Sequence, residues 1–311
     1  MKDLVWKTKS DHMRQFLPEI SVVIATYNDA HRLGLAITSV LEQSFRNIEL
    51  IVVDDGSIDR TSEVLEKFAQ RDPRLVLLKN SKSLGRAEAR NVGIRQARAP
   101  LLAVLDSDDF MMPSRLEYQH EFMRLNPAVG VLGSWAIFNL SGNYLLASGP
   151  TKDADIRRNI NRGKNAILNS SMMVRKSLIL SEGGYQSSPF SPIYNEDYYT
   201  MYLLLSKTKF AVLPEPLLIV DVNGLIDSNI IKKKLVEKMR LVRHLSMYNF
   251  SVVRLLRSIV GSLFIMLMPT KYFGSLYYWR LCHLPVHNSP QNIYVWKHYI
   301  EQKRRKIETG K

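Results

Sequence analysis

The sequence feature that most constrains the fold is a run of five apolar residues, 101–105, that ends in carboxylates. An uninterrupted apolar run is typical of a strand buried on both faces, as in a parallel sheet covered by helices. Asp106, Asp108 and Asp109 follow at once, and like charges so close together repel one another unless a cation joins them. The run therefore predicts a divalent-cation site at a strand end. A solvated acidic loop, before a helix that starts near Pro113, is the alternative.

Apolar strands alternate with amphipathic helices in the first half of the chain. The predicted strands are 20–26, 49–53, 74–79 and 101–105. This alternation with short loops implies a parallel sheet with right-handed crossovers. At 311 residues the chain is long enough for one large α/β domain with an appendage. We therefore expect an N-terminal extension (1–19), an α/β domain (20–223) and a C-terminal region (224–311).

Two further acidic pairs accompany the first cluster. Asp54 and Asp55 end the predicted strand 49–53, so the two acidic strand ends should be neighbours at the ligand crevice of the sheet. Such a pair suits a nucleotide, since one Asp can accept hydrogen bonds from the base or ribose while another ligates the ion bridging a diphosphate. Glu196 and Asp197 could supply a general base. Taken alone, that last pair is better explained as favourable charge at a helix start.

Six segments, in order, carry a resemblance to a known family. They are SVVIATYN, IVVDDGSIDRT, SLGRAEARNVGI, LLAVLDSDD, SEGGY and NED, spread over about residues 20 to 220. Together they resemble the family 2 glycosyltransferases. The resemblance implies the GT-A fold, a Rossmann-like and mostly parallel sheet flanked by helices. It also implies an inverting transfer of a sugar from a nucleotide-diphosphate donor, with a UDP-sugar favoured, to an acceptor hydroxyl, assisted by Mg²⁺ or Mn²⁺.

The resemblance assigns donor-binding roles residue by residue. The nucleobase pocket would be lined by Thr26, Tyr27 and Asn28. Contacts with the base and ribose would come from Asp54 and Asp55. The motif that supports the nucleotide site comprises Gly85, Arg90 and Asn91, with Arg90 as a possible phosphate contact. The DxD pair would be Asp106 and Asp108, and Asp108 is the expected metal ligand.

The remaining roles concern the acceptor and the chemistry. The turn that lines the sugar and the acceptor would be formed by Gly183, Gly184 and Tyr185. Asp197 matches the catalytic base, and Glu196 lies beside it. The sequence departs from the family pattern in two places: Leu203 stands where an Arg is common, and 220–223 replaces a Tyr-Arg-x-His pattern. These departures leave open a divergent donor, impaired activity or a non-catalytic nucleotide-sugar scaffold.

A sugar-nucleotide pyrophosphorylase is the other enzyme class considered. It would need a Gly-rich, basic phosphate loop directly after the first strand. Tyr27-Asn28-Asp29 occupies that place, so the sequence does not favour this class.

The C-terminal region carries nearly all of the net charge of +14, because residues 224–311 hold 16 Lys and Arg against 4 Asp and Glu. Its apolar segment 250–268 is followed by aromatic residues of the kind enriched at lipid headgroups. This combination predicts a helical extension that associates with a membrane surface, although a helical subdomain packed on the main domain is the alternative. No nucleic-acid-binding motif accompanies the charge, so we expect no nucleic-acid partner.

Composition and the predicted extension together suggest a location. The single cysteine, Cys282, agrees with a reducing compartment, and residues 1–19 lack the apolar run of a secretion signal. We therefore expect a cytoplasmic protein on the inner face of the membrane, acting on a glycan or lipid-linked acceptor in cell-surface polysaccharide synthesis.

Overall fold

The computed structural model describes residues 4–7, 17–140, 143–162, 164–186, 196–221 and 286–287. The strands are β1 (Leu4–Lys7), β2 (Ile20–Thr26), β3 (Ile48–Asp54), β4 (Leu75–Asn80), β5 (Leu101–Asp106), β6 (Phe110–Met111), β7 (Val129–Leu140), β8 (Asn143–Ala147), β9 (Met173–Arg175), β10 (Lys209–Asp221) and β11 (Val286–His287). The helices are α1 (Leu33–Leu41), α2 (Thr61–Arg71), α3 (Arg86–Gln96), α4 (Arg115–Leu125), α5 (Asp153–Asn161), α6 (Lys176–Ser181) and α7 (Glu196–Leu204). A 3-10 turn spans Asn169–Ser171.

One sheet organises these elements, in the strand order β1-β4-β3-β2-β5-β9-β7-β10-β6, with β8 on β7 and β11 on β8. The strands β4, β3, β2 and β5 run parallel, as the alternating pattern predicts. Beyond β5 the sheet is mixed, because β9 is antiparallel to both β5 and β7 whereas β10 is parallel to β7. The predicted α/β fold with flanking helices is therefore confirmed, and its parallel part is the first half.

The apolar core lies on both faces of the parallel strands. In β5, Ala103 and Leu105 face one hydrophobic cluster, which includes Ile37 of α1. Leu102 and Val104 face the other, which includes Ile94 of α3. Because successive strand residues point to opposite faces, an unbroken apolar run is the pattern that a strand covered on both sides requires.

Two predicted elements differ from the structure. The segment 170–174, predicted as a strand, forms the 3-10 turn followed by the short β9. The extended segment 212–216 and the predicted strand 217–220 are parts of the single long strand β10. Its register with β7 shifts between Leu213 and Pro216, since a proline has no N–H to give to the ladder.

The two predicted ends of the chain are described only in small part. Within the predicted extension 1–19, β1 pairs antiparallel with β4 at an edge of the sheet. Apart from β11, residues 222–311 lie outside the described residues, and so does the predicted membrane-associating extension. In the part of the chain that the structure describes, no helix has both the length and the apolar character needed to cross a membrane.

Helix α3 packs unusually close to the sheet at Gly93. A Cβ added to Gly93 would lie 2.7 Å from Cγ1 of Val23 and 3.2 Å from Cγ2 of Val53. The same helix carries Arg90 and Asn91, so this close approach fixes where those side chains lie relative to the strand ends.

We predict that Gly93→Ala lowers the free energy of unfolding by about 1–3 kcal/mol, because overpacking outweighs the helix propensity gained by replacing glycine. Urea unfolding monitored by circular dichroism measures the change. Adding Val23→Ala removes the clashing Cγ1, so the double variant should lose less stability than the sum of the two single variants. Strict additivity would contradict this account of the contact.

Candidate active site

The two acidic strand ends lie at the same edge of the sheet. β2 lies between β3 and β5, with Thr26 paired to Asp54 and Ala25 paired to Asp106. The prediction that the two ends are neighbours is therefore confirmed. This edge is the carboxyl end of the parallel strands, where open α/β sheets place their ligand crevice.

Asp54 and Asp55 are both buried, and their carboxylates accept hydrogen bonds from protein groups. Asp54 accepts hydrogen bonds from Ser57 N (2.9 Å) and Ser62 Oγ (2.8 Å). The carboxylate of Asp55 accepts bonds from Asn80 Nδ2 (2.7 Å), Ser83 Oγ (2.7 Å) and the backbone N–H groups of residues 84 and 85. Both side chains thus organise neighbouring loops, and their contact with a base or ribose stays a prediction.

Those loops surround the end of β2. Asn28 has a positive φ of 50° and ties the loop after β2 to the loop after β3. Its N–H donates to Ser57 Oγ (2.9 Å), and its Oδ1 accepts from Ile58 N (2.9 Å). Tyr27 is half-exposed here, while Oγ1 of Thr26 is buried with no hydrogen-bond partner among the described residues. The exposed aromatic ring at this strand end is suited to stack on a planar ligand.

Arg90 joins the acids of β5 to those of α7. Its Nη2 donates to Asp106 Oδ1 (2.6 Å), and its Nη1 donates to Glu196 Oε1 (2.7 Å). Burial would lower the pKa of Arg90, but Asp106 and Glu196 outweigh it and raise the pKa. One buried guanidinium therefore joins two carboxylates that lie 16 and 106 positions further along the chain. Both terminal nitrogens of Arg90 donate to carboxylates here. Its contact with a phosphate stays a prediction.

The predicted acceptor turn is held by Asn91. Asn91 Nδ2 donates to Tyr185 O (2.9 Å), and its Oδ1 accepts from Tyr185 N (2.7 Å). Gly183 and Gly184 have φ of 77° and 95°, and a Cβ on Gly184 would lie 2.3 Å from Asn91 Oδ1. Glycine is therefore required at the second position by both the conformation and the space. Gly85, at the start of α3, has φ of 86° and donates its N–H to Asp55.

The side chain of Tyr185 points into the protein. It is buried, and its hydroxyl donates to Asn169 Oδ1 (2.7 Å). Asn169 Nδ2 in turn reaches Asp106 Oδ1 at 3.4 Å. The Arg90 guanidinium lies 5.4 Å from the centre of the Tyr185 ring. Tyr185 thus supports the acidic site from behind, and an acceptor-lining role rests on the backbone of the turn.

Asp106 and Asp108 have opposite electrostatic environments. For Asp106, burial would raise the pKa, but Arg90 and then Arg86 outweigh it and lower the pKa. Burial and the charge of Asp106 raise the pKa of Asp108 to about 6, against the attraction of Arg32. The charge of Asp108 is therefore only partly offset by its one arginine partner, Arg32.

This acid pair fits a hard divalent cation that also binds a substrate. Mg²⁺ is commonly held by one or two carboxylates together with substrate phosphates, and Mn²⁺ shares its preference for oxygen ligands. Among the described residues, no group of three or more His, Cys, Asp or Glu side chains is arranged to hold a metal. Asp106 and Asp108 would thus hold the ion, with the remaining ligands supplied from outside the protein.

Glu196 and Asp197 begin α7 and are not equivalent. Glu196 is buried and pairs with Arg90 and also with Arg86 Nε (3.4 Å). Asp197 Oδ1 accepts a bond from Tyr198 N (2.8 Å). Burial and the neighbouring charge of Glu196 raise the pKa of Asp197, which makes its carboxylate a stronger base than an ordinary aspartate. Glu196 is therefore suited to hold structure, and Asp197 is suited to accept a proton.

The sequence patterns do not identify several residues that lie at this site. The buried Arg115 holds the 3-10 turn beside Asp106, because its Nη1 donates to Ser170 O and its Nη2 to Met172 O (3.3 Å). Asn169, in that turn, reaches Asp106 directly. No local pattern marks them, because they act across the fold.

Asp29 and Arg32 join Asp108 from the loop after β2. Their signal was available: a cation at a helix N-terminus is unfavourable unless carboxylates surround it.

Comparisons with known proteins identify the family that this chain matches. The chain matches the family model described as "Glycosyl transferase family 2" over residues 21–179. It is 32% identical over 197 residues to an uncharacterised glycosyltransferase of Haemophilus influenzae, covering 63% of this chain and 76% of that protein. It is 29% identical over 188 residues to the UDP-Glc:alpha-D-GlcNAc-diphosphoundecaprenol beta-1,3-glucosyltransferase WfaP of Escherichia coli, and the match covers 60% of this chain and 70% of that protein.

Solved structures share the fold. The S. aureus TarS 1–349 complex with UDP superposes with a TM-score of 0.54 at 19% identity, covering 75% of this chain and 72% of that one. The mannosyltransferase PcManGT from Pyrobaculum calidifontis, in complex with GDP-Man and Mn²⁺, gives a TM-score of 0.55 at 14% identity, covering 85% of each chain.

The raised pKa of Asp108 predicts a pH-dependent gain in stability for Asp108→Asn. Ionising Asp108 in the folded protein opposes folding, and this cost builds as the pH rises from about 4 to about 6. In chelator-treated buffer at pH 8, Asp108→Asn should raise the free energy of unfolding by about 1–3 kcal/mol, from roughly 1.4 kcal/mol per pKa unit. At pH 4 the gain should nearly vanish.

Urea unfolding at the two pH values measures this difference. Glu66→Gln, at an exposed position of α2, is the control and should change stability little at either pH. A gain from Asp108→Asn that is equal at pH 4 and pH 8 would show that Asp108 ionises without penalty.

Proposed function

The chain belongs to glycosyl transferase family 2, and we propose that it transfers a sugar from a nucleotide-diphosphate donor to a hydroxyl of a lipid-linked glycan acceptor. A UDP-sugar is the favoured donor, and the transfer inverts the anomeric centre. The observation that carries this proposal is the Arg90 bridge, which brings Asp106 of β5 to Glu196, beside Asp197. A single guanidinium thereby joins Asp106, on the donor side of the proposed reaction, to the helix start that carries the proposed base.

The donor half of the site is built from the ends of β2 and β5. Asp106 and Asp108 hold the divalent cation, with Asp108 as the principal ligand. Thr26, Tyr27 and Asn28 line the nucleobase pocket, a role supported by the half-exposed ring of Tyr27. A bound Mg²⁺ or Mn²⁺ would supply Lewis-acid stabilisation of the charge that develops on the leaving diphosphate.

The acceptor half uses Asp197 as general base. The acceptor hydroxyl gives its proton to the Asp197 carboxylate while the hydroxyl oxygen bonds to the anomeric carbon. The bond from that carbon to the diphosphate oxygen breaks, and the nucleoside diphosphate leaves with the bonding electron pair. The raised pKa of Asp197 supports this role, because a base is more effective when its pKa approaches the working pH.

The acceptor class is suggested by relatives and by the charge of the C-terminal region. The name of WfaP identifies a diphosphoundecaprenol-linked sugar as the acceptor of that enzyme. A lipid-linked acceptor would lie at a membrane surface, and residues 224–311 carry 16 basic residues that could bind anionic lipid. We accordingly propose that 20–223 forms the catalytic domain and that 224–311 binds the cytoplasmic face of the membrane in cell-surface polysaccharide synthesis.

Donor binding tests the donor half of the site. A thermal-shift screen of UDP-, GDP- and TDP-sugars with Mn²⁺ should raise the melting temperature with one nucleotide class, UDP being expected, since a ligand that binds only the folded state stabilises it. Asp108→Ala should lose the Mn²⁺-dependent part of the shift. Equal shifts for Asp108→Ala and the wild type would rule out Asp108 as the metal ligand.

Replacing the base tests the acceptor half. Asp197→Asn should lower kcat by about 10²–10⁴-fold, the usual contribution of a general base, and leave the Kd for the donor nucleotide unchanged. Release of nucleotide and isothermal titration measure the two quantities. Glu121→Gln, an exposed carboxylate of α4, is the matched control. Normal turnover by Asp197→Asn would remove this residue from the role, and donor binding without turnover in the wild type would identify a non-catalytic scaffold.

A further inference from the structure

Arg32 is a cation placed where the backbone does not favour one. It is the residue that directly precedes α1, and the N-terminal end of a helix carries partial positive charge. Carboxylates offset this cost. Arg32 Nε lies 2.7 Å from Asp29 Oδ1, and Arg32 Nη1 lies 3.1 Å from Asp108 Oδ2. The position of Arg32 thus depends on the acids of the candidate active site.

The two contacts of Arg32 differ in strength. Asp29 is buried and also accepts a 2.6 Å bond from Ser107 Oγ, so the Nε side of the guanidinium is anchored to the fold. Asp108 is 28% exposed, and its contact with Arg32 is the longer of the two. The Nη1 side can therefore be released while the Nε side stays in place. Arg32 is itself 34% exposed, which leaves room for it to contact a ligand.

Arg32 and a divalent cation would compete for the same carboxylate. A guanidinium on Asp108 neutralises the charge that attracts a metal ion, and two cations on one carboxylate repel each other. A donor diphosphate changes this balance, because guanidinium groups bind phosphate oxygens in a favourable planar geometry. A diphosphate bound at this edge of the sheet would offer Arg32 a second anionic partner.

We propose that Arg32 is a displaceable counter-ion of Asp108 that makes cation binding depend on donor binding. In the donor-free protein Arg32 pairs with Asp108 and weakens its affinity for a divalent cation. When a nucleotide diphosphate binds, Arg32 turns to the phosphates and leaves Asp108 to the metal. This inference rests on the proposed function, since it takes Asp108 as a metal ligand.

The test measures Mn²⁺ affinity by electron paramagnetic resonance, without nucleotide and with saturating UDP or GDP. Without nucleotide, Arg32→Gln should bind Mn²⁺ more tightly than the wild type by up to about five-fold, the factor that a partly exposed ion pair of about 1 kcal/mol contributes. The factor by which nucleotide enhances Mn²⁺ binding should fall in the same variant, because no Arg32–Asp108 pair remains for the nucleotide to release. Arg32→Lys, which keeps the charge, should stay near the wild type.

Two controls separate the outcomes. Arg124→Gln removes an exposed arginine of α4 and should leave Mn²⁺ affinity unchanged. Asp108→Ala shows whether Mn²⁺ binds at this site at all: if it binds Mn²⁺ as the wild type does, the metal assignment of the proposed function fails and this inference fails with it. If Asp108→Ala loses binding but Arg32→Gln is no tighter than the wild type, only the counter-ion inference is overturned.

A measurement on the wild type covers the case in which Arg32→Gln does not fold. The ¹⁵Nε–H signal of Arg32, assigned with Arg32→Lys, should shift when diamagnetic Mg²⁺ and nucleotide are added together. A signal that stays unchanged while the nucleotide and Mg²⁺ bind would contradict the proposed release of Asp108.

Discussion

The buried ion pairs of Arg90 are the interaction on which the site depends. One guanidinium joins Asp106, at the end of a central strand, to Glu196, at the start of a helix far along the chain. Breaking a buried pair by removing one partner is strongly destabilising, because the other charge stays buried without compensation. The same contact that positions α7 therefore also fixes Asp197 relative to the carboxyl edge of the sheet. A substitution that breaks this contact should therefore affect both the stability of the fold and the position of Asp197.

The acids at this edge divide into two groups by their partners. Asp54, Asp55 and Asp29 are buried and saturated with protein donors, so they hold the loops that surround the strand ends. Asp108 and Asp197 keep raised pKa values, which means that the fold leaves their charge undercompensated. Groups with perturbed pKa values that lie together at a strand edge are the usual sites of chemistry. Electrostatic environment, more than residue type, thus separates the acids that hold loops from Asp108 and Asp197, the two that we propose to bind the metal and accept the proton.

The sequence was sufficient for the parallel half of the sheet and for the placement of its acidic ends. An apolar run such as 101–105 is typical of a strand buried on both faces, and parallel strands bring their carboxyl ends together. It was not sufficient beyond β5, where the short β9 reverses direction and a proline shifts the register of β10. Both features depend on which strand lies alongside, and local patterns do not encode that.

Prediction of the site was limited in the same way. The acids and the Gly-Gly turn were identified by type and order, but the partners that determine their roles come from distant segments. Arg90 pairs with two carboxylates, which its motif does not indicate, and its contact with phosphate stays a prediction. Tyr185 turns its ring into the protein. A motif names the residues at a site, whereas burial and pairing across the fold decide what each of them is free to do.

The most direct test of the central claim is the position of a bound cation. Crystals grown with Mn²⁺ and the donor nucleotide should give an anomalous scattering peak at about 2.0–2.2 Å from the Asp108 carboxylate, the range of Mg²⁺–oxygen bonds and slightly beyond. The diphosphate should complete its coordination, and Asp197 should face the same cleft. A peak held by other acids, with Asp108 still paired to Arg32 while nucleotide is bound, would contradict the account.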